Sequence, residues 1–139
     1  MYKNIVVGYD GSDRAFRAVE EAADLSTAVG STLHIVTAVD KKETIHEIGE
    51  SSDKVYMSNV EIARDQLANA AGRFGHLDIR TTAVVGTPAD VLVKEAARLD
   101  ADLILVGNRH VQGFSRVLGS VAEDVAHKAP CAVLIAKTA

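Results

Sequence analysis

The chain has 139 residues, of which 47% are hydrophobic and 24% charged, a size and balance that fit one globular domain with a buried core. Its net charge of −4 argues against a nucleic-acid binder held by bulk electrostatics, and no apolar run approaches membrane-spanning length. The first residues lead straight into a strand with no signal-peptide pattern, and the single cysteine, Cys131, rules out an intramolecular disulfide, so a cytoplasmic location with Cys131 as a packed thiol is expected.

Ile5-Val6-Val7 reads as the first strand, ended by the turn Gly8-Tyr9-Asp10-Gly11. Ser12 or Asp13 then caps a helix whose apolar face is Phe16, Val19, Ala22, Ala23 and Val29, and Gly30 stops it. Thr32 to Val39, rich in Ile, Val and Thr, is the second strand. Asp40 to Lys54 is crowded with Lys, Glu, Asp, Ser and His and reads as a surface loop or the frayed start of a helix, with a lid over a binding site as its functional alternative. Val60, Ala63, Leu67, Ala70, Ala71 and Phe74 mark the second helix by their three- and four-residue spacing, and Gly75 ends it.

Ile79 to Val85 is the third strand. Thr87-Pro88-Ala89-Asp90 is a strong helix start: Thr87 can cap, Pro88 suits the first helical position, and Asp90 favours the positive end of the dipole. That helix continues through Leu92, Ala96 and Leu99. Leu103 to Val106 is the fourth strand, Ser120 to Lys128 the fourth helix, and Cys131 to Ala136 the fifth strand.

Alternation of this kind forces parallel pairing through right-handed crossovers, with helices on both faces of the sheet. Ligands of such folds bind outside the carboxyl ends of the strands, where the strand order reverses. Tyr9 to Gly11, Ala38 to Asp40, Gly86 with Thr87, and Gly107 to His110 are therefore expected to converge. The Gly107-to-Val121 stretch carries the most information, because a strand there empties through a Gly-punctuated basic loop into a helix N-terminus. Unpaired amides, the helix dipole and glycine's close approach all favour an anion at such a place.

Four segments carry a family resemblance: Ile5-Val6-Val7-Gly8-Tyr9-Asp10-Gly11-Ser12, Val85-Gly86-Thr87-Pro88, Val106-Gly107-Asn108-Arg109 and Leu118-Gly119-Ser120-Val121. In this order, at these strand ends, they resemble the universal stress protein family over nearly the full length of the chain. The resemblance implies an α/β fold of a single domain over residues 1–139: an open five-stranded parallel sheet in the order 3-2-1-4-5 with two helices on each face. It also implies a dimeric stress-response sensor or regulator that binds an adenine nucleotide, ATP or AMP. The nucleotide-binding residues it points to are Asp10 and Ala38 for adenine, Gly107 for ribose, and Gly119, Ser120 and Val121 for phosphate.

The phosphate loop departs from the family pattern of Gly, two residues, Gly, nine residues, then Gly-Ser or Gly-Thr. His110 stands where the second Gly belongs, and the loop is one residue shorter. A side chain at that position obstructs a phosphate if the backbone there requires positive φ. Arg109, His110 and Arg116 form the densest basic cluster and offer a substitute set of phosphate ligands, their alternative being a solvated loop.

Each site residue has a plainer reading. Asp10 fits an Asp-Gly turn capping the first helix. Ser120-Val121-Ala122-Glu123 fits a capping box that needs no ligand. The histidines at 34, 46, 76 and 127 show no metal-ligand spacing, and no Ser-His-Asp, Cys-His, paired-carboxylate or Walker arrangement stands out. The chain thus reads as a binder rather than a catalyst, with ATP hydrolysis at most slow and incidental. A family member that binds no nucleotide and acts on a protein client is the alternative reading, and a nucleotide-using enzyme the third. The last strand carries no charge from Cys131 to Ala136 and belongs at a sheet edge, where it must be covered or paired. In the family the corresponding strands pair across a two-fold axis, which implies a homodimer through Val133, Leu134 and Ile135.

Overall fold

A computed structural model describes residues 2–40, 46–48, 55–108 and 118–138. Its strands are β1 (Asn4–Gly8), β2 (Thr32–Val39), β3 (His46–Ile48), β4 (Val55–Met57), β5 (Ile79–Val85), β6 (Leu103–Asn108) and β7 (Ala132–Lys137). Its helices are α1 (Asp13–Val29), α2 (Asn59–Ala71), α3 (Pro88–Arg98) and α4 (Ser120–Lys128).

The main sheet runs β5-β2-β1-β6-β7, all parallel, which is the expected 3-2-1-4-5 order. Alternation along its strands builds two cores. Ile5, Val7, Leu33, Ile35, Leu103 and Leu105 face α1 and α2, where they meet Ala18, Val19, Ala22 and Leu67. Val6, Val36, Ile104 and Val106 face α3 and α4, where they meet Leu92, Ala96, Ala122 and Val125. Two helices therefore cover each face, and the central strands are apolar at nearly every position because both sides are buried.

Local chemistry sets the helix ends. Ser12 is the N-cap of α1, its side chain accepting the Ala15 N–H at 3.1 Å, and Gly30 closes the helix in the left-handed region at φ 71°. Ser58 caps α2 in the same way through the Glu61 N–H at 3.2 Å.

Several details differ from the sequence reading. Val29 is 45% exposed, because it lies on the last turn of α1 beyond the strand surface that the helix covers. α2 ends at Ala71 with Gly72 as its cap rather than at Gly75, and Phe74 packs on the core from the following turn. The polar segment is neither wholly a loop nor a helix start, since His46–Ile48 pairs antiparallel with Val55–Met57. Thr87 occupies the N-cap position of α3 but makes no side-chain cap bond. Gly119, not Ser120, is the N-cap of α4, so the expected capping box does not form. Ser120 is already the first helical residue, and a serine there is one position too late to reach back over the open turn.

Candidate functional site

The carboxyl ends of β1, β2, β6 and β7 open onto a cleft of about 480 Å³, within the size range of small-molecule sites. Gly8, Tyr9 and Asp10 follow β1 into it, Ala38 lies at the end of β2, and Val106 and Gly107 at the end of β6. Ser12, Arg14 and Ala15 of the first α1 turn form one wall, and Gly119, Ser120, Val121 and Ala122 of the α4 start form another. Of the expected site residues, the fold brings together Asp10, Ala38, Gly107, Gly119, Ser120 and Val121. Arg109, His110 and Arg116 lie outside the described residues.

Of the four segments expected to meet, Gly86 with Thr87 does not line the cleft, and only the adjacent Pro88 does. The topology explains this: β5 is an edge strand, separated from β1 by β2, so Gly86 and Thr87 stand off to the side.

Asp10 makes the turn of its plainer reading but not the helix cap, which Ser12 supplies: the Asp10 Oδ1 accepts the Ser12 N–H at 2.9 Å while Gly11 takes φ 87°. The carboxylate is exposed, and among the described residues its Oδ2 accepts no hydrogen bond. Turn formation therefore leaves Oδ2 available. Tyr9 stands edge-on to Phe16, centroids 6.3 Å apart, and burial followed by the Asp10 charge raises its pKa, so the phenol stays protonated.

The α4 side of the cleft is held by Asn108, Thr138 and Arg17, of which the motif Val106-Gly107-Asn108-Arg109 contains only the first. Asn108 Oδ1 accepts the Gly119 N–H at 2.8 Å, and the Asn108 carbonyl accepts the Thr138 hydroxyl at 3.1 Å. Arg17 Nη1 donates to the Thr138 carbonyl at 3.2 Å. Asn108 thus ties the end of β6 to the start of α4. The N–H groups of Ser120, Val121 and Ala122 precede the first intrahelical bond of α4, from Glu123 N–H to the Gly119 carbonyl at 2.9 Å, and among the described residues they receive no side-chain cap. These amides, together with the positive end of the helix dipole, face the cleft as an anion seat.

Gly107 has a steric reason to be glycine. A Cβ there would lie 3.0 Å from Thr138 Cγ2 and 3.5 Å from Ala18 Cβ. Thr138, Asn108 and Arg14 are what the sequence reading missed. The strand-end rule was applied to four strands, and extending it to the fifth would have pointed to Thr138. Away from the cleft, burial raises the pKa of the Cys131 thiol. No helix among the described residues is long and apolar enough to cross a membrane.

Comparison with known proteins places this geometry. The model of the universal stress protein family matches residues 1–137. A universal stress protein of Mycobacterium tuberculosis is 33% identical over 143 aligned positions, covering 99% of this chain and 97% of that relative. A crystal structure of a universal stress protein in complex with cAMP superposes with a TM-score of 0.77 at 33% identity, covering 99% of this chain and 98% of the other. The universal stress protein of Archaeoglobus fulgidus in complex with dAMP gives a TM-score of 0.69 at 28% identity, with 98% of both chains covered. With its fold, its strand-end motifs and nearly its whole length matched, the chain belongs to the universal stress protein family.

Proposed function

We propose that this chain is a cytoplasmic, homodimeric stress-response regulator that binds an adenine nucleotide of the ATP or AMP type in the cleft. One observation carries the reading: a single cleft is lined both by a carboxylate with an oxygen to spare and by the open amides of α4. Those are the complements of an exocyclic amine and of a phosphate. Relatives crystallised with cAMP and dAMP support the same ligand class. In the proposed pose adenine lies against Ala38 with its amino group donating to Asp10, ribose passes Gly107, and the phosphates meet Ser120 and Val121. Arg109, His110 and Arg116 are proposed to reach the phosphates from the connecting segment. Recognition rather than turnover is the proposed activity.

Calorimetric titration with ATP, AMP and cAMP tests this reading. Saturable binding of any of them supports it, and no heat from any at millimolar concentration overturns it. The His110 departure favours a second reading, in which the protein acts on a protein client without nucleotide. A His110→Gly variant separates obstruction from substitution. If the imidazole only obstructs, the variant binds more tightly and without pH dependence. If it serves as a ligand, binding weakens by about 1–3 kcal/mol, most clearly near pH 6 where the imidazolium is populated.

A further inference from the structure

Arg14 is the feature of the cleft that neither the turn nor the α4 seat accounts for. It is the only cationic residue lining the cleft among the described residues, and Asp10 is the only carboxylate. Arg14 is exposed and makes no hydrogen bond or ion pair with another described residue. Its position works against its own helix: a cation in the first turn of α1 sits at the positive end of the dipole, where an anion is preferred. Ser12 already satisfies that terminus through the Ala15 N–H, so Arg14 has no capping role. Two helix N-termini and one guanidinium therefore border the same space on a chain whose net charge is −4. A concentration of positive potential in a cleft of an acidic protein is what attracts and retains a small polyanion.

We infer that Arg14 is a specificity-determining residue that clamps the phosphate of the bound nucleotide from the α1 wall, opposite the α4 amides, and makes the site select phosphorylated adenosine over the uncharged nucleoside. The inference rests on the nucleotide reading above and adds to it a residue from outside the phosphate loop. A guanidinium suits the task because its planar donors match phosphate oxygens in pairs.

The test is titration of the full chain with AMP and with adenosine, for the wild type, Arg14→Gln and Arg14→Lys. Arg14→Gln is expected to weaken AMP by about tenfold or more while changing adenosine by less than about twofold. Arg14→Lys is expected to keep part of the AMP affinity as a point charge. Unchanged AMP binding in Arg14→Gln overturns the inference and leaves the nucleotide reading standing. Equal losses for AMP and adenosine also overturn it, since they assign Arg14 to the shape of the first α1 turn. A wild type that binds neither compound overturns the nucleotide reading and this inference together.

Discussion

Gly107 lines the cleft and is at the same time a tightly packed position. A side chain there would crowd Thr138, which also lines the cleft, and would touch Ala18 of α1. Gly107→Ala is expected to cost about 1–3 kcal/mol in overpacking, with Thr138→Ser recovering part of the loss by removing the nearest methyl group. Denaturant unfolding of the two single variants and the double variant checks this, and strictly additive effects would exclude the contact. A second residue-scale consequence concerns pH. His34 is 7% exposed at the far end of the sheet, where its Nε2 lies 3.0 Å from Asn4 Oδ1. Burial, followed by the nearby Arg80 charge, holds its pKa below the ordinary imidazole value. The unfolded chain then binds the proton more readily than the native one. The His34 contribution is therefore complete above about pH 6.5 and is lost as the pH falls from there towards the lowered native value. Thermal unfolding between pH 7 and pH 5 should show a steeper decline for the wild type than for His34→Gln, and equal slopes would exclude His34 as a source of it.

At the scale of elements, each helix start resolves the same shortage of acceptors differently, and the differences have consequences. α1 and α2 use serine caps, whereas α4 has none and leaves its amides facing the cleft. Ser58→Ala should therefore cost about 1 kcal/mol in stability and leave the proposed nucleotide binding unchanged, since Ser58 is not among the residues lining the main cleft. Asn108→Ala should do more. It removes the acceptor of the Gly119 N–H, costs about 1–2 kcal/mol, and loosens the α4 start enough to weaken nucleotide binding as well. A variant as tight as the wild type for AMP would show that the α4 start holds its position without Asn108. These contrasts also show what could be read from the chain beforehand. Strand identity and the convergence of Asp10, Ala38 and Gly107 follow from alternation and apolar period, whereas the 3-2-1-4-5 order and the place of Ser120 rest on the family resemblance as well. The cap of α4 could not be read so, because Ser120 and Glu123 have capping-box spacing and only the long-range bond from Gly119 to Asn108, eleven residues earlier, shows where the helix begins. The β3–β4 pair was hidden for a related reason: strands of three residues each are too short to carry a period above the polarity of their surroundings.

At the scale of the whole molecule, the two edges of the sheet are unequal. β5 carries exposed Arg80 and Thr81 near its start and an exposed Val85 at its end, whereas β7 offers Val133, Leu134 and Ile135 in succession, all half-buried, with its only charge at the terminal Lys137. Register places Val133 beside Ile104 and Ile135 beside Val106, so both side chains continue the α3–α4 core outward to the last strand and stop there. An uncharged edge of this kind presents unpaired backbone groups to any second strand, and the chain shows no lysine, proline or bulge in its middle to prevent pairing. We propose that a second copy covers it across a two-fold axis, so that every residue near the axis contributes twice. Val133→Lys would then bring two like charges together and remove two apolar contacts from one interface. The expected result is a dimer weakened on the order of a hundredfold, equivalent to about 2.7 kcal/mol, with the fold retained by circular dichroism because the edge position can project the ammonium into water. Sedimentation velocity at micromolar concentration decides the matter. A wild type that sediments as a monomer, or a dimer that survives Val133→Lys unchanged, would place the interface elsewhere.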